Sequence, residues 1–145
     1  LIKCAESFQY GVYEGKTRIT LRASDQNSWR SSLDINREFF RKDLIGNDTF
    51  LYDSYEVECI SIDEFVSMQM IDRIDMIGVT VPGEIALPIL KGSAKTLAKY
   101  HPILSISLYP SETANVEQIL ESYGYALARS PKGNMHTYVY NGSKN

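Results

Sequence analysis

The sequence predicts an α/β fold, strands and helices in alternation closing in an antiparallel hairpin. Three observations predict it. Residues 17–22 and 55–62 alternate apolar and polar side chains with the period of two that half-buried strands show. The apolar run 74–81 empties into Pro82-Gly83 and a helix-spaced stretch, the order expected where a buried strand leads into a crossover helix. Two last strand-like runs, 125–128 and 135–140, flank the turn residues Pro131-Lys132-Gly133-Asn134. At 145 residues the chain has the size of one domain with one core, read as 1–145 with an irregular excursion over 24–52.

Each element has its own signal. Residues 1–4 read as a strand already under way, and Tyr13-Glu14-Gly15-Lys16 is a turn leading into strand 17–22. Over 24–52 Ser, Asp, Asn and Arg surround Trp29, Phe39 and Phe40, and Gly46-Asn47-Asp48 breaks the chain. A long, partly helical excursion that covers or lines a site is expected there. In strand 55–62, Glu56 and Glu58 should face away from Val57 and Cys59. Ser61 or Asp63 can cap a short helix over 64–70. After strand 74–81, Leu87, Leu90, Ala94 and Leu97 at spacings of three and four predict a helix over 84–100. It should begin near Pro88, because an interior Pro costs about 3 kcal/mol and the first turn tolerates one. Strand 103–109 ends at Pro110, and Ser111 or Thr113 caps a helix over 115–123 that Gly124 closes. Right-handed crossovers place the helices on the faces of the sheet.

Composition narrows the function. Hydrophobic residues at 43% and charged residues at 23% are the balance of a soluble globular domain, expected in the cytoplasm. A net charge of -3 and a pI near 5.4 supply no electrostatic footprint for nucleic acid or an anionic membrane. No run approaches the roughly 18 apolar residues of a membrane span. The start, Leu1-Ile2-Lys3-Cys4-Ala5, is too short and too soon polar for a signal peptide, and without an initiator Met it suggests a trimmed or processed chain. Cys4 and Cys59 sit in apolar runs and are expected as buried reduced thiols, with a disulfide between neighbouring strands left open. Zinc is not expected, because His101 and His136 lie far from each other and from the cysteines.

The stretch Ile74-Asp75-Met76-Ile77-Gly78-Val79-Thr80-Val81-Pro82-Gly83-Glu84, followed by Leu90-Lys91-Gly92, resembles the acidic motif of the FkbM family of S-adenosylmethionine-dependent methyltransferases. That motif runs roughly Lys-Ile-Asp-Val-Glu-Gly-Ala-Glu, with Leu-Lys-Gly soon after. Cys4-Ala5 with Tyr13-Glu14-Gly15-Lys16, Ser31-Ser32, Val57 with Ser61-Ile62-Asp63-Glu64, and Pro102-Ile103-Leu104 are similar to further segments of the family, in the same order. The resemblance covers about residues 1–125. It implies a Rossmann-like methyltransferase sheet, truncated on its N-terminal side, and methylation of an oxygen on a small molecule or sugar. The family's cofactor site is a Gly-rich turn and an acidic residue on earlier strands, and no such stretch occurs here. S-adenosylmethionine is therefore expected only if an upstream cofactor half exists. The family's Lys, Asp and first Glu fall on Gly78, Thr80 and Pro82, and its next-strand Glu and His fall on Ser107 and Tyr109. Thr80 and Ser107 can hydrogen-bond but cannot act as bases at neutral pH.

These residues set the candidates. Glu84 is the nearby carboxylate, a catalytic candidate or simply an acid at a helix start. Ser31, Ser32, Thr80, Ser107 and Tyr109 are candidate ligand contacts, and Trp29 and Arg30 lie in the excursion where a substrate loop would be. His101 is expected at a helix end as a charge partner, His136 as an exposed strand residue. The expected function is a methyltransferase-like domain, catalytically impaired, that binds a small molecule or a protein. The alternative is the C-terminal part of an active S-adenosylmethionine-dependent O-methyltransferase. A third possibility is a structural subunit whose exposed sheet edge pairs with another copy.

Overall fold

A computed structural model describes residues 5–23, 32–33, 53–80 and 85–142. The fold is mixed α/β, and its contacts group into two compact units, Leu1–Gly11 with Lys16–Cys59, and Val12–Gly15 with Ile60–Asn145. The strand expected over 1–4 lies outside the described residues.

The first unit is built on a sheet of order β1-β4-β2-β3, with β1 Gly11–Val12, β2 Thr17–Ala23, β3 Ser32–Leu33 and β4 Asp53–Ile60. Strand β2 runs antiparallel to both β4 and β3. The register sets Arg18 opposite Glu58 and Thr20 opposite Glu56, and both pairs bond, Arg18 Nη2 to Glu58 Oε1 at 3.1 Å and the Thr20 hydroxyl to Glu56 Oε1 at 2.8 Å. The Arg18–Glu58 pair is solvated and adds little stability. On the other face Ile19 and Cys59 are buried, as the alternation requires. Gly11 is required there, because a Cβ at that position would collide with Cys59 Sγ. Cys59 is a free thiol, and burial pushes its pKa up. These strands form a sheet of their own instead of joining strand 74–81. Polar–apolar alternation suits an antiparallel sheet with one wet face, whereas parallel strands want apolar runs. Of the 24–52 excursion, only Ser32–Leu33 is described, paired to β2 as Leu21↔Leu33 and Arg22↔Ser32. Trp29, Phe39, Phe40 and Gly46-Asn47-Asp48 lie outside the described residues.

The second unit carries a sheet of order β5-β6-β8-β7, with β5 Met76–Val79, β6 Ile103–Ser107, β7 Tyr125–Lys132 and β8 Met135–Tyr140. Strands β5 and β6 are parallel, and β8 is antiparallel to both β6 and β7. The expected closing hairpin is present, its turn at Gly133-Asn134, with β7 running on through Pro131 and Lys132. Its last strand sits between β6 and β7.

Helix α1 (Ile62–Met68) starts at Ser61 in a capping box, with Glu64 returning a bond to the Ser61 N–H at 2.9 Å. The helix expected over 84–100 is two helices, α2 (Ala86–Lys91) and α3 (Ala94–Tyr100), broken at Gly92-Ser93. Pro88 is the third residue of α2, inside the first turn where no N–H is required. The break is held from both sides. A Cβ on Gly92 would lie 2.6 Å from the Tyr13 carbonyl oxygen, and the Ser93 hydroxyl donates to Leu90 O at 2.8 Å. Helix α4 (Pro110–Ser122) begins earlier than expected, because Pro110 at the first helical position sets φ and Glu112 takes the Tyr109 N–H at 3.0 Å. Neither Ser111 nor Thr113 is the cap.

Helix α4 turns Glu112, Val116 and Leu120, four residues apart, into the interior. The core joins Val116 and Leu120 to Leu104, Ile106 and Leu108, to Tyr125 and Tyr138, and to Ile89, Leu90 and Leu97 of α2 and α3. It lines one face of the sheet. On the other, Met76, Ile103 and Met135 are exposed. The sequence expectation of a buried strand over 74–81 is thus corrected. Strand β5 is four residues long and lies at the sheet's edge, and of its residues only Val79 is buried.

His136 also differs from expectation. It is buried, its neighbour across the ladder being Ile106 and its partner in alternation Tyr138. His101 ends α3 in the left-handed region, φ 49°, and stacks on Tyr140 with ring centroids 3.6 Å apart and planes 14° from parallel. An aromatic contact holds it, where a charge partner was expected.

Candidate functional site

In an open α/β sheet ligands meet the chain outside the carboxyl ends of parallel strands. In the second unit those ends are Val79 and Ser107, and Val79 pairs with Ile106 in the ladder. Thr80 follows the last paired residue of β5 and Ser107 is the last residue of β6, so two candidates far apart in sequence lie at the same end of the parallel pair. Thr80 is exposed and Ser107 half-buried.

Alternation places more side chains on the same face. Two residues before Ser107 stands Ser105, opposite Gly78 on one side and Thr137 on the other, and Ser107 itself pairs with Met135. A Cβ on Gly78 would meet nothing within 4 Å, so the space above it is open. Gly78, Ser105 and Thr137 thus share one face with the exposed Met76, Ile103 and Met135, and β7 sets Arg129 opposite Thr137 and Lys132 opposite Met135. Ser105 and Thr137 were not singled out from the sequence. The polar–apolar alternation Ser105-Ile106-Ser107 was their signal, legible once Ser107 had been placed on a strand.

Tyr109 lies two residues past the end of β6, where its N–H and carbonyl build the start of α4. Glu112 accepts the Tyr109 N–H at 3.0 Å, its own N–H donates to Tyr109 O at 3.0 Å, and Thr113 Oγ1 donates there at 3.2 Å. Leu108 between them is tied to the closing turn through Asn134 O at 2.8 Å. Glu112 is thus a buried carboxylate on a structural task. Ser32 is placed only by its backbone, in β3. Ser31 and Glu84, with Pro82 and Gly83, lie outside the described residues.

The face of β8 that meets the core is chemically different. Tyr125 Oη, on neighbouring β7, and His136 Nδ1 are buried with no hydrogen-bond partner among the described residues, and Tyr138 Oη is buried beside Glu117. Burial pushes both phenols up to about 12, with repulsion from Tyr140 adding to it at Tyr125, and the Glu117 charge and a hydrogen bond to Glu117 adding to it at Tyr138. They are neutral at physiological pH.

The strand-end hydroxyls can donate and accept hydrogen bonds to a polar ligand. They are no ligand set for a metal, and among the described residues no group of three or more His, Cys, Asp and Glu side chains could hold one. Among the described residues no helix is long and apolar enough to cross a membrane. Comparison with protein-family models, with curated proteins and with solved structures finds no match.

Proposed function

We propose that this chain is a domain derived from the FkbM-type methyltransferases that binds a small molecule or a protein and does not itself transfer methyl groups. One observation carries the reading. The carboxyl ends of the parallel pair carry Thr80 and Ser107, hydroxyl groups where the resembling family has carboxylates. A hydroxyl with an ordinary pKa orients a ligand but does not take its proton at neutral pH. The parallel β5/β6 pair with helices in its crossover, followed by an antiparallel hairpin, supports the back half of a Rossmann-like sheet. Cys59, a free buried thiol, fits a reducing compartment such as the cytoplasm. The short edge strand β5 gives the same domain a surface through which copies could pair.

Calorimetric titration with S-adenosylmethionine and with S-adenosylhomocysteine tests the reading. The expected result is no heat of micromolar binding. Micromolar binding of either compound would overturn it in favour of an active O-methyltransferase. Light scattering of the same sample reads the assembly role, and a monomer at all concentrations would remove self-pairing from it.

A further inference from the structure

We draw no further inference here: the strongest candidate, the sheet face of the second unit on which Met76, Ile103 and Met135 are exposed and Gly78 leaves open space, carries nothing because nothing in the structure shows what covers it.

Discussion

Asp63 caps a helix to which it does not belong, its carboxylate accepting the N–H of Thr96 at 2.8 Å and of Lys95 at 3.0 Å. Both donors are in the first turn of α3, where the N-cap residue Ser93 makes no side-chain cap bond and its hydroxyl donates to Leu90 O instead. The Asp63 N–H in turn donates to Gly92 O at 3.0 Å, so one residue of α1 fixes both sides of the α2–α3 break. Asp63→Ala should cost about 1–2 kcal/mol in urea denaturation, and Asp63→Asn less, since one acceptor oxygen remains. Amide exchange at Lys95 and Thr96 should quicken first. A loss shared evenly over the unit, with those two amides unmoved, would assign the cap elsewhere.

Ser61 and Asp63 were interchangeable as caps in the sequence, because both types accept equally well and sit two residues apart. The choice is tertiary. Ser61 closes a local box with Glu64, which frees Asp63 for a helix some thirty residues away. The second unit was legible wherever the signal is local, as with the apolar run of β6 and the Gly133-Asn134 turn. Non-local facts were not. That β2 and β4 form a separate sheet depends on which strands pair, which alternation leaves undecided. The break at Gly92 depends on the carbonyls of Tyr13 and Glu14, almost eighty residues earlier. Of the candidate site, the hydroxyl chemistry of Thr80 and Ser107 could be read directly, while their shared place at one end of the β5/β6 pair needed the parallel register.

Removing a hydroxyl should have opposite consequences at two tyrosines. Tyr100 Oη donates to Ile71 O at 2.7 Å, so Tyr100→Phe leaves a carbonyl short and should cost about 0.5–1.5 kcal/mol. Tyr125 Oη is buried with no partner among the described residues, and Tyr125→Phe should be neutral or stabilising. Thermal or urea denaturation of the two variants checks this. Equal destabilisation would show that the Tyr125 hydroxyl has a bond to lose.

The raised phenols make stability fall at alkaline pH. A tyrosine at about 12 in the folded chain and about 10 in the unfolded one keeps its proton longer when folded. The native state therefore binds more protons between those values, and the stability present below pH 10 is lost as pH rises through 12. Tyrosinate absorbance should show Tyr125 and Tyr138 titrating late, together with loss of the fold. Titration of all ten tyrosines in one step near 10, with the fold intact, would contradict the burial of these two.

Glycine tolerance should separate two positions sharply. At Gly92 an added Cβ would come within 2.6 Å of Tyr13 O and 2.8 Å of Glu14 O, both backbone atoms that cannot turn aside. At Gly15 nothing lies within 4 Å. Gly92→Ala should therefore destabilise by more than about 2 kcal/mol, the range of overpacked sites, while Gly15→Ala stays within about 0.5 kcal/mol. A denaturation midpoint of Gly92→Ala equal to that of the parent would mean that the Tyr13–Glu14 segment is not packed against the break.

The adjacency of Thr80 and Ser107 can be measured through charge. Thr80→Asp alone should shift stability by no more than about 0.5 kcal/mol, because the site is exposed and faces water. Ser107→Asp should cost more, being half-buried. Together the two carboxylates would stand side by side on neighbouring strands, where like charges oppose each other by about 0.2–1 kcal/mol. The double variant should fall below the sum of the single ones by that amount, and the deficit should shrink in high salt, which screens exposed charges. The same cycle with Asn at both positions keeps shape and removes charge, so its coupling should vanish. Additive aspartates in low salt would place residues 80 and 107 apart and remove the neighbouring strand ends on which the proposed binding role stands.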